Sequence, residues 1–368
     1  MEKKVNRIFE YLEWRGDLDF DSSPFNEVDA AILCLLAYLD FTGLIPKDFS
    51  ESSRTIKEVD THYFGRNLPY DLRIIDLLHE CAKTKRFCSV VPIGLVSELD
   101  DEEEKQFCAI SFILPSKEKQ VCIVFRGTDV TLIGWKEDFN MIFTFPAPFQ
   151  EESVFYLERA VSNLKNYNFY VAGHSKGGNA AIYSTSLCSQ KTFSKINKIY
   201  TFDSPGFDAG LADTTVFERP KEITSAFVPK DSVIGMLMDM PIPYSVVDSN
   251  VFGLVQHDIF SWEVHGTQFK KIEKLSNFSI NVKKTMTKWL ELLDLSQRRQ
   301  VVNLLFGILE DCNIKEIKDF ENISFSTVVT ALKSFSDLDS TSKDCLSKAL
   351  GLFFKAAINR NELDDFYY

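Results

Sequence analysis

The sequence predicts an α/β protein with a mostly parallel sheet, and three observations carry that expectation. Short runs rich in β-branched and aromatic residues recur between about residues 87 and 232. Helical stretches lie between several of them, as the crossovers joining parallel strands require. Both ends of the chain carry apolar residues at helical spacing. With 368 residues and 45% hydrophobic content, the chain has material for one large domain with an appendage, or for two domains.

In chain order, VDAAILCLLAYLDF (28 to 41) reads as an apolar helix and PYDLRIIDLLHECAKT (69 to 84) as an amphipathic one, with Pro24 and Asn26 as start signals before the first. Strands are expected at 87–99, 107–115, 120–127, 168–173, 197–206 and 223–232. The first two form a hairpin across the acidic turn SELDDEEEKQ. The later ones alternate with helices at 151–167 and 176–190. After about residue 270 four stretches carry apolar residues at three-and-four spacing, with Ser296 and Ser342 as N-caps. The expected organisation is a core over 1–270 with an N-terminal helical segment, followed by a C-terminal helical region over 271–368, either an outer layer or a small domain.

Composition narrows the function. The chain has 53 acidic against 41 basic residues, a net charge of -12, which opposes nonspecific attraction to nucleic acid or anionic membrane surfaces. Eight cysteines form no C-x-x-C pair and five histidines no metal-ligand cluster, so neither metal nor cofactor is expected, and the cysteines read as reduced core thiols. The start is charged, with no apolar leader. No uncharged apolar run reaches the roughly 18 residues of a membrane span. The expectation is a cytoplasmic protein with no transmembrane segment and no nucleic-acid partner.

The chemistry centres on NFYVAGHSKGGNAAIY (168 to 183). A short apolar strand ends at Gly173, Ser175 follows, and a helix begins after it, the strand, tight turn and helix order of a nucleophile elbow. Gly173 and Gly177 answer the crowding of so sharp a turn. At the helix N-terminus the backbone N–H of Lys176 is a natural donor to a developing oxyanion.

A serine hydroxyl needs a base held by an acid, in the chain order Ser, Asp or Glu, His. Only His257 and His265 follow Ser175. His257 in GLVQHDIFSW is the expected base, on a loop, whereas His265 sits in a strand-like alternation. Asp231 in ITSAFVPKDSVIG follows a strand directly and is the expected acid. Asp203 in YTFDSPGF, one strand earlier, is the alternative. His174 reads as a packing residue of the elbow.

VCIVFRGTDVTLIGWKEDF (121 to 139) resembles the F-R-G-T…W…D segment of class 3, or fungal-type, lipases. GHSKGG, then YTFDSPGF for their T-F-G-x-P strand end, then VPKDSV for D-P-V, then a loop histidine continue in the family's order. The N-terminal EYLEWRGDLDFDSSPFNEVD further resembles a bacterial lipase-like family of unknown function that shares these segments. The resemblance implies an α/β-hydrolase fold with Ser175 as nucleophile, Asp231 as acid, His257 as base, and Thr128 with Lys176 as oxyanion donors. Two positions depart from the pattern: Asp203 stands where the family has Gly, and Ser232 follows the acid in place of Pro. An Arg126–Asp203 ion pair is the expected consequence of the first.

The expected function is a serine esterase, carboxylesterase or lipase-like, acting on a small-molecule or lipid ester. An acyltransferase or thioesterase with the same triad, or a noncatalytic interaction scaffold, are the alternatives. MIFTFPAPF (141 to 149) and VIGMLMDMPIPYSVV (233 to 247) read equally as acyl pocket, lid or core. Lys176 reads as an exposed lysine at a helix start, able to meet an anionic group.

Overall fold

The computed structural model describes residues 7–50, 53–63, 71–129, 131–208, 210, 212–313 and 325–358. Helices α1 (Ile8–Arg15), α2 (Glu27–Leu36), α3 (Ile56–His62) and α4 (Arg73–Lys83) come first. The expected helix start at Pro69 and Tyr70 lies outside the described residues, as do residues 359–368 of the expected C-terminal region. Asn26 caps α2 as its sequence suggests. Its side chain accepts from the N–H groups of Val28 and Asp29, and Asp29 in turn accepts from the Asn26 N–H.

Asp29 is fully buried and answers a second need. Arg86, also fully buried, places Nε 2.7 Å and Nη2 2.5 Å from its two carboxylate oxygens, and Tyr11 donates to the same group. Both charges are thus paired and hydrogen-bonded, as burial at this depth demands. The pair ties α1, α2 and the loop after α4 into one unit.

The strands β1 (Val91–Asp100), β2 (Lys105–Leu114) and β3 (Gln120–Phe125) run antiparallel, the first two as the expected hairpin. The chain then passes through α5 (Leu132–Asn140) and α6 (Pro148–Asn163) into β4 (Asn168–His174), α7 (Lys176–Leu187), α8 (Gln190–Phe193) and β5 (Ile196–Phe202). Next come β6 (Thr224–Pro229), β7 (Tyr244–Val247) and the short β8 (Val264–His265), β9 (Gln268–Phe269) and β10 (Lys271–Ile272). Eight strands pair in the order β1-β2-β3-β4-β5-β6-β7-β10, parallel from β3 to β7.

Alternate residues of the central strands face opposite ways. Cys122, Val124 and Ala172 pack with α2 and α4, while Val121, Ile123, Phe125 and Val171 pack with α6 on the other face. The elbow strand β4 lies between β3 and β5. Its C-terminal end is flanked by the loops that leave those two strands, where α/β folds place their chemistry.

Helices α9 (Asn277–Glu291), α10 (Leu295–Asp311), α11 (Phe325–Asp337) and α12 (Ser340–Ile358) follow, matching the four apolar stretches. Aspartates rather than the expected serines cap two of them. Asp294 accepts from Gln297 N at α10, and Asp339 accepts from the Thr341 and Ser342 N–H groups at α12. Trp289, Leu290, Val301, Val302 and Phe306 enter the same core cluster as α6. Arg298, mostly buried, reaches Ile142 O at 2.8 Å and Asp208 Oδ2 at 2.6 Å.

The segment 233–247, read from sequence as pocket, lid or core, supplies β7, and Met236 and Met238 are buried in the core. Met141, Ile142 and Phe143 are buried likewise. All eight cysteines are free thiols, five of them buried.

Candidate active site

Ser175 sits between β4 and α7 with φ 57° and ψ -132°, a conformation that a non-glycine residue holds only under constraint. The two glycines supply the room. A Cβ at Gly173 would stand 2.0 Å from Gly177 O, and one at Gly177 2.0 Å from Phe125 O. The serine N–H donates to Phe202 O at 2.9 Å, fastening the turn to the end of β5. Lys176 opens α7, so its backbone N–H has no acceptor within the helix.

His257 closes a single 3₁₀ stretch, Gly253–His257. Its Nδ1 lies 2.7 Å from Asp203 Oδ2. Asp203 is fully buried, takes φ 43°, and accepts from Ser232 Oγ at 2.5 Å and from Gly235 N at 3.1 Å through its other oxygen. Three partners therefore hold the carboxylate, and the Asp203 backbone N–H is fixed separately by donating to Phe227 O at 2.8 Å. The expected Arg126–Asp203 pair does not form. Arg126 instead places Nη2 3.4 Å from Asp129.

This corrects the expected partner of His257. Asp231, the sequence choice, is buried and turned to the loop backbone. It accepts from Gly253 N at 3.2 Å and Gln256 Nε2 at 2.9 Å, and its N–H donates to Gln256 Oε1 at 2.8 Å. The reason lies in strand order. Asp203 leaves β5, the strand beside the elbow, whereas Asp231 leaves β6, one strand further out. Asp231 thus shapes the loop that carries His257, and Asp203 holds the ring.

His174 has more than the packing role expected of it. Its ring lies 4.4 Å from that of His257 between centroids, its Nε2 is 3.0 Å from His257 O, and its Nδ1 is 3.0 Å from Tyr38 Oη. Burial drives its pKa well below the usual histidine value, and the neighbouring His257 pushes the same way. A neutral ring facing a carbonyl must carry its proton on Nε2, so Nδ1 accepts from the Tyr38 hydroxyl. Adjacency to Ser175 was the one sequence signal for this anchor.

The segment after β3 lies against the elbow: a Cβ at Gly127 would stand 2.7 Å from His174 O and 3.0 Å from Ser175 Cβ. Thr128 follows, and its Oγ1 donates to Asp138 Oδ2 at 2.5 Å. Burial raises the Asp138 pKa to about 6, against the lowering pull of Lys176 and Thr128.

Lys176 is buried, not exposed as expected. Its ammonium contacts Glu137 Oε2 at 2.6 Å and both Gln106 O and Gln106 Oε1 at 2.9 Å, with Asp138 Oδ1 at 3.8 Å. Glu137, equally buried, also accepts from the N–H groups of Gln106 and Phe149. The lysine therefore ties α7 to β2 and α5 and has no direction left for an external anion. His265 lies on β8.

A strained serine at a strand-to-helix elbow, a His–Asp pair on the loops beside it, and a mostly parallel sheet beneath them define a lipase-like α/β-hydrolase fold. The Mbeg1-like family model matches residues 81–307, and the chain belongs to that lipase-like family. None of the curated proteins compared with it matches. Among solved structures it is similar to a mutant of MDLA from Penicillium cyclopium, at 13% identity and a TM-score of 0.39 over 66% of this chain and 84% of that one. It is also similar to a lipase from Rhizopus microsporus var. chinensis, at 15% identity and a TM-score of 0.35 over 68% of this chain and 80% of that one.

Proposed function

We propose that the chain is a serine hydrolase that cleaves a carboxylic ester, carboxylesterase or lipase-like, with Ser175 as nucleophile, His257 as base and Asp203 as the acid that orients it. The observation that carries this reading is the 2.7 Å contact between His257 Nδ1 and a fully buried Asp203, next to a serine held in strained elbow geometry. Neither feature serves packing: a buried carboxylate aimed at a partly exposed ring costs desolvation that a structural role does not need.

In the proposed reaction Asp203 fixes the ring so that Nε2 is the basic nitrogen. His257 Nε2 takes the Ser175 proton as Oγ attacks the ester carbonyl carbon, and then gives it to the departing alkoxide. A water molecule, activated by the same nitrogen, releases the acid and restores the serine. The oxyanion meets the backbone N–H of Lys176 at the α7 N-terminus, where the helix dipole adds to the hydrogen bond, and the Thr128 segment across from it.

Thr128 has one hydroxyl proton. While Asp138 is a carboxylate, that proton points at Asp138 and the side chain gives the oxyanion nothing. Once Asp138 is protonated it donates instead, and the hydroxyl is free to turn to the oxyanion. Thr128 therefore acts through its backbone N–H at neutral pH and through its side chain as well below about pH 6.

Free thiols throughout the chain fit a reducing, cytoplasmic setting. The deciding experiment is labelling with a fluorophosphonate probe. Wild-type protein is expected to label and Ser175→Ala not to; no labelling of folded wild-type protein sinks the hydrolase reading.

A further inference from the structure

The surface around His257 departs from ordinary solvent-facing surface. Just ahead of the histidine, Phe252, Leu254 and Val255 are 75%, 56% and 62% exposed. Large apolar side chains are commonly exposed one at a time, and a contiguous group marks a surface that meets something apolar. On the first turns of α9, Phe278 and Ile280 are exposed as well, and the Phe278 ring lies 6.0 Å from that of Phe252.

The fold builds this juxtaposition deliberately. Asp231 holds the 252–256 loop through Gly253 and Gln256. One residue to either side, Lys230 O accepts from Ser276 N at 2.9 Å and Ser232 O accepts from Ser279 Oγ. The end of β6 therefore fixes the apolar loop and the start of α9 side by side.

Charge singles out the same place. On a chain of net charge -12, residues 270–288 carry six lysines against one glutamate. Lys270 is taken up by Asp248 and Glu263, and Lys283 lies 3.7 Å from Asp239. Lys230, Lys271 and Lys274 are exposed.

Exposed aromatic and branched apolar residues bordered by lysines are what the boundary of an anionic bilayer accepts, acyl chains beneath and phosphates around them. We propose that this face docks on the surface of an anionic lipid bilayer, the 252–255 loop entering the headgroup and acyl boundary and the lysines that follow β6 and that lie on and just after β10 meeting lipid phosphates. Charges separated by more than roughly 8 Å are largely screened at physiological salt, so the charges nearest the bilayer weigh most in the contact. The docking goes beyond the hydrolase reading and stands without it; where both hold, it brings His257 to the membrane surface.

The test uses the full chain carrying Ser175→Ala, so that turnover plays no part, sedimented with phosphatidylcholine vesicles and with mixed phosphatidylcholine and phosphatidylserine vesicles. Binding to the mixed vesicles alone, weakened by salt, is expected. Two independent variant sets, each checked for an unchanged thermal melt, separate the contributions. Phe252→Ser with Val255→Ser is expected to lower partitioning at least about tenfold, and Lys230→Glu or Lys274→Glu about fivefold each. No binding to the mixed vesicles overturns the proposal, as does binding that neither variant set changes. Sedimentation without vesicles that Phe252→Ser abolishes also overturns it, assigning the face to a second copy of the chain.

Discussion

Replacing one carboxylate at a time distinguishes Asp203 from Asp231. In Asp203→Asn the side chain keeps its volume and its place between Ser232, Gly235 and His257, but loses the charge that faces His257 Nδ1 at 2.7 Å. An amide presents either a donor, which drives the proton to the wrong ring nitrogen, or a neutral acceptor, which leaves the imidazolium unpaired in a site where the acid is fully buried. The same change in serine proteases lowers kcat about ten-thousandfold, about 5 kcal/mol at roughly 1.4 kcal/mol per decade. In Asp231→Asn the loss falls on two loop hydrogen bonds, from Gly253 N and Gln256 Nε2. That is about 1–3 kcal/mol of stability, with hydrolysis reduced within about tenfold. The assay is hydrolysis of an aryl ester and the rate of fluorophosphonate labelling, with a thermal melt for each variant. If Asp203→Asn keeps activity within tenfold of wild type while Asp231→Asn loses it with the fold intact, the assignment of the acid is wrong.

Three further outcomes follow from the site. Gly177→Ala forces a Cβ to within 2.0 Å of Phe125 O and is expected to lower stability by at least about 2 kcal/mol, read as a fall in melting temperature. Lys176→Met leaves Glu137 buried without its ammonium and is expected to cost about 3–5 kcal/mol; Lys176→Met with Glu137→Gln recovers most of it in denaturant unfolding, and failure to recover refutes the pair as the cause. Asp138 has a folded pKa near 6, above its ordinary value of 3.8, so the folded chain binds its proton more tightly than the unfolded one. Its contribution is full below about pH 4 and is lost as pH rises through 6, up to about 3 kcal/mol. Asp138→Asn is expected to remove that slope from the pH dependence of unfolding, and a slope unchanged in the variant counts against the shift.

The sheet was legible because its strands are written in alternation: the residues of β3 that face α2 and those that face α6 differ by one step. The elbow was legible because its glycines answer local crowding. Strand β7 was not, since PIPYSVV carries two prolines within an apolar run that reads as pocket, lid or core, and its strand character rests on pairing with β6. The choice between Asp203 and Asp231 turned on which strand neighbours the elbow, a property of sheet order, although an aspartate in place of the family's glycine at 203 was a signal. Burial of Lys176 depended on Glu137, 39 residues away in sequence, and no local pattern reports such a pairing. The role of His174 depended likewise on a carbonyl 83 residues distant.

The way α10 seats on α5 has a practical consequence. Phe306 packs edge-on against Phe139 with ring centroids 5.5 Å apart, on the helix whose Glu137 and Asp138 brace Lys176 and Thr128. A recombinant fragment ending near residue 270, the natural cut for someone seeking a minimal hydrolase, would strip Trp289, Val302 and Phe306 from the shared interior and bare the back of the segment that faces the serine. Such a fragment is expected to aggregate or to lose its reactive serine, and a cut after α10 fares little better, since Leu346 and Ala349 of α12 are buried in the same interior and Ala349 O accepts from Trp289 Nε1 at 2.9 Å.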